Sequence, residues 1–182
     1  MAQQTLSMLR RVNRIVAVLI GILLLICAGS VLLDIVLRKM GSSFGGTDEI
    51  TGYVMAISTA WGMGYAMLEL AHVRIDFLRG QVNRVGRSLM DLLAMLVLSA
   101  TVSVIAIRCW SVLETTLANG SRANTPLETP LALVQIPWFA GWIWFATMAW
   151  VTFLAALALV YQGRFEQSEA AIGAFAEQDA AL

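Results

Sequence analysis

The feature that most constrains this chain is a set of apolar runs too long for the helices of an ordinary soluble core. The hydrocarbon layer of a bilayer is about 30 Å thick and an α-helix rises about 1.5 Å per residue, so a spanning helix needs roughly 20 mostly apolar residues. Residues 15–37 meet this with Asp34 as the sole charge, and residues 50–68 carry no charge at all. Residues 89–107 hold one carboxylate, Asp91, close to an end. After Glu128 the next charge is Arg164, and a fourth span is set at about 136–161 inside that neutral stretch. Pro137 suits a helix start, where its missing N–H costs nothing. A cleaved signal segment has an apolar run of about 7–15 residues; the first run here is longer, so it reads as a retained span.

Composition agrees. The chain is 59% hydrophobic and 13% charged, whereas soluble domains average about 45–50% and about 25%. Net charge is zero, which leaves no basic face to neutralise phosphates and argues against nucleic acid as a partner. Cys27 and Cys109 lie in or beside apolar runs and read as small packing residues. The single histidine, His72, is too little for a haem held by paired imidazoles or for most zinc sites, so no cofactor or metal is expected.

Lys and Arg gather on the cytoplasmic side of membrane proteins. Eight of the twelve basic residues (Arg10, Arg11, Arg14, Arg74, Arg79, Arg84, Arg87 and Arg164) fall on one side of the proposed spans, against Arg38, Lys39, Arg108 and Arg122 on the other. Both termini and the second loop are therefore expected in the cytoplasm. Trp110, Trp138, Trp142 and Trp144 fall towards the outer ends of spans three and four, where an interfacial belt is expected. Trp61 and Trp150 fall mid-span, where an indole N–H calls for a protein partner.

Between the spans, a short glycine-rich turn at 41–46 joins spans one and two as a hairpin, and Thr47 followed by Asp48 and Glu49 reads as a helix start. Ile75, Leu78, Val82, Val85 and Leu89 recur at spacings of three and four, predicting a short amphipathic helix at the membrane interface. The connection at about 111–135, with Pro126 and Pro130, predicts an ordered irregular loop. The acidic, alanine-rich tail, 164–182, predicts a frayed helix or disorder. The expected fold is an all-α integral membrane protein: one four-helix membrane domain over 1–163, a short interfacial amphipathic helix, and a cytoplasmic tail.

The sharpest pattern is Gly52, Ala56, Ala60 and Gly64, which recur every four residues along the second span. In lipid, helices are held by close backbone approach at small residues. Such a ridge serves either a neighbouring span of the same chain or a different subunit. Asp34 and Arg38, and likewise Arg87 and Asp91, stand four apart and can pair along a helix. Both pairs sit near membrane boundaries, where structural pairing is a simpler reading than an ion pathway. No acidic residue lies mid-span, and neither a catalytic constellation nor a substrate cavity is visible. The chain is expected not to be an enzyme.

From Arg38 through residue 77 the sequence resembles the small membrane subunit of tripartite ATP-independent periplasmic (TRAP) transporters, the DctQ type. Arg38 ends the first span, and the acidic pair Asp48 and Glu49 opens the second, as in that family. The most specific part is His72, Val73, Arg74, Ile75 and Asp76, which match a His–aliphatic–x–aliphatic–Asp signature. Pro137 and Trp138 match the family's entry to the last span. One departure stands out: the family often has Trp just before the acidic pair, where this chain reads Phe44-Gly45-Gly46-Thr47.

The resemblance implies a small, non-catalytic subunit of the bacterial inner membrane that braces a large transport subunit. The large subunit would carry an organic acid, such as a dicarboxylate or sialic acid, by sodium symport after capture by a periplasmic binding protein. It also implies that Gly52, Ala56, Ala60, Gly64, Arg38, Asp48, Glu49, His72, Arg74 and Asp76 are subunit-interface candidates. His72, Arg74 and Asp76 are read either as a solvated loop or as a hydrogen-bonded turn that fixes it. The competing readings are a membrane anchor of a respiratory enzyme, a small stand-alone antiporter, and a membrane enzyme.

Overall fold

The computed structural model describes residues 2–72 and 81–173. Five α-helices follow one another among the described residues: α1 (Ala2–Lys39), α2 (Thr47–Leu68), α3 (Arg84–Asn119), α4 (Ala132–Tyr161) and α5 (Phe165–Ile172). Among the described residues there is no strand, only an isolated bridge between Arg122 and Pro130. The all-α expectation holds.

Among the described residues three helices, α1, α3 and α4, are long and apolar enough to cross a membrane. The fourth expected span, α2, is about 33 Å long by its 22 residues. It falls short in hydropathy, since its glycines, hydroxyls and Trp and Tyr rings dilute the aliphatic content. The very residues that make it a packing helix make it a weak hydropathy signal.

The helices outrun the apolar runs that announce them. α1 begins at Ala2, α3 continues to Asn119, and α4 begins at Ala132. Pro137 therefore lies inside α4 and not at its start, removing one bond from the helical ladder. The connection between α3 and α4 shrinks to 120–131 and is ordered, as expected. Ala123 N–H donates to Thr129 O and Leu131 N–H to Ser121 O (2.9 and 3.0 Å). Gly120, in the left-handed region with φ 57°, ends α3 and donates to Thr116 O.

Of the expected interfacial amphipathic helix, Ile75 and Leu78 lie at 73–80, outside the described residues, and Val82 lies just before α3. Val85 and Leu89 of that pattern belong to α3, whose start is capped by Asn83 accepting from Gly86 N–H at 2.9 Å. The tail departs from expectation too. Its first part is not frayed: Phe165–Ile172 forms α5, with Ser168, Ala171 and Ile172 buried.

The packing is centred on α4, which touches α1, α2, α3 and α5, while α1 leans chiefly on α2 and α3 on α4 and α5. Met67, Met95, Phe145, Ala149, Ala156 and Ile172 represent one buried cluster drawn from α2 to α5. Only 6% of the most apolar window of α1 is buried, against 39% for α4. The first helix is thus a peripheral one, most of whose apolar surface is left uncovered by the described residues.

Candidate functional site

The small-residue ridge of α2 divides into two parts. At its lower end Ala60 is 1% exposed and faces Gly141 of α4. A Cβ on Gly141 would stand 2.8 Å from the Ala60 Cβ and from the Trp61 ring, closer than carbon atoms pack. One turn further, a Cβ on Gly64 would meet Asn13 Oδ1 at 3.2 Å and the Trp144 ring at 3.7 Å. Ala60 and Gly64 therefore pack against the chain's own α4 and α1, as the first of the two readings of the ridge has it. Ala56 is half-buried, whereas Gly52 is exposed and has nothing within 4 Å of where a Cβ would stand. Only the upper end of the ridge is open.

Indole donors tie these helices together. Trp61 Nε1–H donates to Pro137 O at 2.9 Å, and Trp150 Nε1–H to Ser103 Oγ at 2.8 Å. Both mid-span tryptophans thus find protein partners, as their position predicted. Trp144 was expected in the outer interfacial belt. Instead it stacks on Trp61, with centroids 6.1 Å apart, and donates to Asn13 Oδ1 at 3.1 Å. Asn13, fully buried, also donates to Leu9 O. Trp142 likewise packs inward, on Phe145, whereas Trp110 is half exposed beside Phe139.

The turn between α1 and α2 is organised by Asp34, only 2% exposed. It accepts from Arg38 Nε–H (2.7 Å), Ser43 Oγ–H (2.9 Å) and Phe44 N–H (2.9 Å). The expected Asp34–Arg38 pair is therefore present, and it also folds the following loop onto the helix end. Gly46 caps α2 in the left-handed region with φ 72°, directly beneath Leu127, which leaves no room for a Cβ. Thr47, read as a helix start, is the first residue of α2 and is buried.

Asp48 and Glu49 occupy the first turn of α2. With Gly46, Gly52, Tyr53, Thr125 and Pro126 they line a cleft of about 600 Å³ at this end of the bundle. The Thr125 hydroxyl, and after it Tyr53, hold the Glu49 carboxyl below its ordinary range, and Tyr53 Oη–H donates to Glu49 Oε1. Asp48 is exposed.

At the other end of α2, Leu70 adopts φ 56° and Ala71 N–H donates back to Ala66 O (2.9 Å), reversing the chain. His72 is half-buried with its ring against Phe145, 6.4 Å between centroids. With Met63, Met90, Leu93, Val97 and Thr101 it lines a mostly apolar groove of about 840 Å³ between α2 and α3. Arg74 and Asp76 lie outside the described residues. Arg87, expected to reach Asp91, donates from Nε to Val82 O at 3.3 Å, while Asp91 is buried in α3.

Sequence reasoning did not single out Asn13 or Gly141. Asn13 stands among arginines and looks like part of a solvated helix end, and one glycine inside an apolar run carries no periodic signal. Among the described residues no cluster of His, Cys, Asp and Glu could hold a metal ion.

These features define a class: a membrane protein of helices locked to one another by indole hydrogen bonds and small-residue contacts. The family profile of the DctQ component of tripartite ATP-independent periplasmic transporters matches residues 27–160. The chain belongs to that family, and so is a component of a transporter. No curated protein and no solved structure matches it.

Proposed function

We propose that this chain is the small, non-catalytic subunit that braces the large membrane subunit of a TRAP transporter. In that role it would serve sodium-coupled uptake of an organic acid captured by a periplasmic binding protein. The reading includes α2 as a fourth span over about 50–68, both termini in the cytoplasm, and location in the bacterial inner membrane. The observation that carries it is the contrast between inside and outside. The polar side chains Asn13, Trp61, Trp144 and Trp150 are bonded within the bundle. Outward, α1 presents Ile15, Val18, Leu19, Ile22, Leu25 and Ile26, all half or more exposed. A rigid interior with an uncovered apolar exterior suits a frame held by lipid and by another membrane protein.

The first test is affinity purification of the chain, mildly solubilised from its native membrane, with mass spectrometry of what accompanies it. A large polytopic membrane protein in near-equal amount is the expected result. Proteoliposomes holding both subunits, given the binding protein and a sodium gradient, should take up the organic acid, and neither subunit should do so alone. Recovery of the chain alone as a homodimer, or with haem-bearing enzyme subunits, would overturn the reading.

A further inference from the structure

The bundle has an open side. α3 packs chiefly on α4 and α5, and α1 chiefly on α2 and then α4, so the first turns of α3 and of α1 lack a broad mutual contact. What lies between them is α5. It meets α3 through Glu166 Oε1, 3.0 Å from Arg84 Nη1, and meets α1 through the Ala170 carbonyl, which accepts from Arg10 Nη2 at 3.3 Å.

Neither polar contact is strong. Both partners of the ion pair are largely exposed, and such pairs contribute little. The anchor is apolar: Ile172 is 1% exposed and Ala171 6%, in the same buried cluster as Leu9 of α1, Met67 and Leu68 of α2, and Leu92 of α3. A gap of about 300 Å³ remains between α5 and α1, lined by Leu6, Arg10, Gln167 and Ala170 among others. The helix is therefore seated firmly towards α3 and α4 and more loosely towards α1.

We propose that α5 is a strap. It fixes the first turns of α3 to the end of α4 and gathers α1 into the same cluster. An eight-residue helix would not persist alone in water, so α5 exists because Ile172 and Ala171 are buried. Release of α5 and loosening of α3 are then one event.

Amide hydrogen exchange on the full chain in lipid nanodiscs tests this. In the parent, residues 165–172 and 84–92 should exchange at similar rates and respond together to mild denaturant, as one cooperative unit does. Ile172→Asp should speed exchange of 84–92 about tenfold or more, with a smaller rise in residues 4–14 and none in the middle of α4. If α5 exchanges freely in the parent while 84–92 stays protected, the strap is refuted without any variant. If Ile172→Asp frees α5 and leaves 84–92 unchanged, it is refuted as well.

Discussion

Gly141→Ala should destabilise this protein even though alanine is the better helix former. The added Cβ would stand 2.8 Å from the Ala60 Cβ and from Trp61 Cδ1, and 3.1 Å from the Ala60 carbonyl carbon. Carbon atoms pack at about 3.5–4.0 Å, so α2 and α4 must part by roughly 1 Å. That movement stretches the 2.9 Å bond from Trp61 Nε1 to Pro137 O past hydrogen-bond range. Overpacking of this kind costs about 1–3 kcal/mol, and a lost interhelical bond in a membrane protein adds about 0.6 kcal/mol. Against this, replacing a helical glycine with alanine returns about 1 kcal/mol. The net expectation is a loss of about 0.6–2.6 kcal/mol. Gly29, with nothing within 4 Å of its Cβ position, supplies the control, and Gly29→Ala should be neutral or slightly stabilising. Unfolding in mixed micelles, followed by tryptophan fluorescence, measures both. Equal stability of the two variants would refute the close approach of α2 and α4.

Three other expectations follow from the same geometry. Gly52→Leu should leave the stability of the isolated chain unchanged, because its Cβ position is open. It should lower the yield of the complex with the large subunit, and full yield would remove the upper ridge from the interface. Asp34→Ala strands three donors, Arg38 Nε–H, Ser43 Oγ–H and Phe44 N–H, and should cost about 2–3 kcal/mol. Asp34→Asn keeps an acceptor and should cost less; the reverse order in a denaturant titration would contradict the role assigned to Asp34. Glu49 is held below the ordinary value of 4.5 in the folded chain. Its contribution is present above that value and lost as pH falls through the lower folded one. Glu49→Gln should therefore flatten the acid limb of the stability curve, and parallel curves for variant and parent would argue otherwise.

What could be read from the sequence was whatever depends on one helix at a time. Apolar length gave α1, α3 and α4, and the four-residue spacing of Asp34 and Arg38 gave a contact that the fold makes. Mid-span Trp61 and Trp150 needed partners, and the argument held because an indole N–H in hydrocarbon has no water to turn to. What could not be read depends on two helices meeting. Asn13 looks solvated until Trp144, 131 residues later, donates to it. The alanine-rich tail looks disordered until Ile172 finds its place in the cluster that also holds Leu92. Pro137 marks a helix start by local rules, yet α4 begins five residues earlier. A proline interrupts only one ladder bond, and the carbonyl of Pro137 itself is engaged by Trp61.

The ridge of α2 shows why spacing alone cannot separate an internal contact from an external one. Both need small residues four apart, and both gain from the same close backbone approach. The deciding facts lie on other helices: a glycine at 141 that admits Ala60, and an asparagine at 13 that fills the space beside Gly64. With the lower half consumed, the chain's own contacts explain Ala60 and Gly64 but not the exposed Gly52. We therefore expect a partner contact on this face to begin near the cleft of Asp48 and Glu49 and not to run the length of the helix. That restriction gives the Gly52 and Gly141 substitutions opposite signatures. Gly52→Leu should be visible only in the assembled complex, while Gly141→Ala should be visible already in the chain alone.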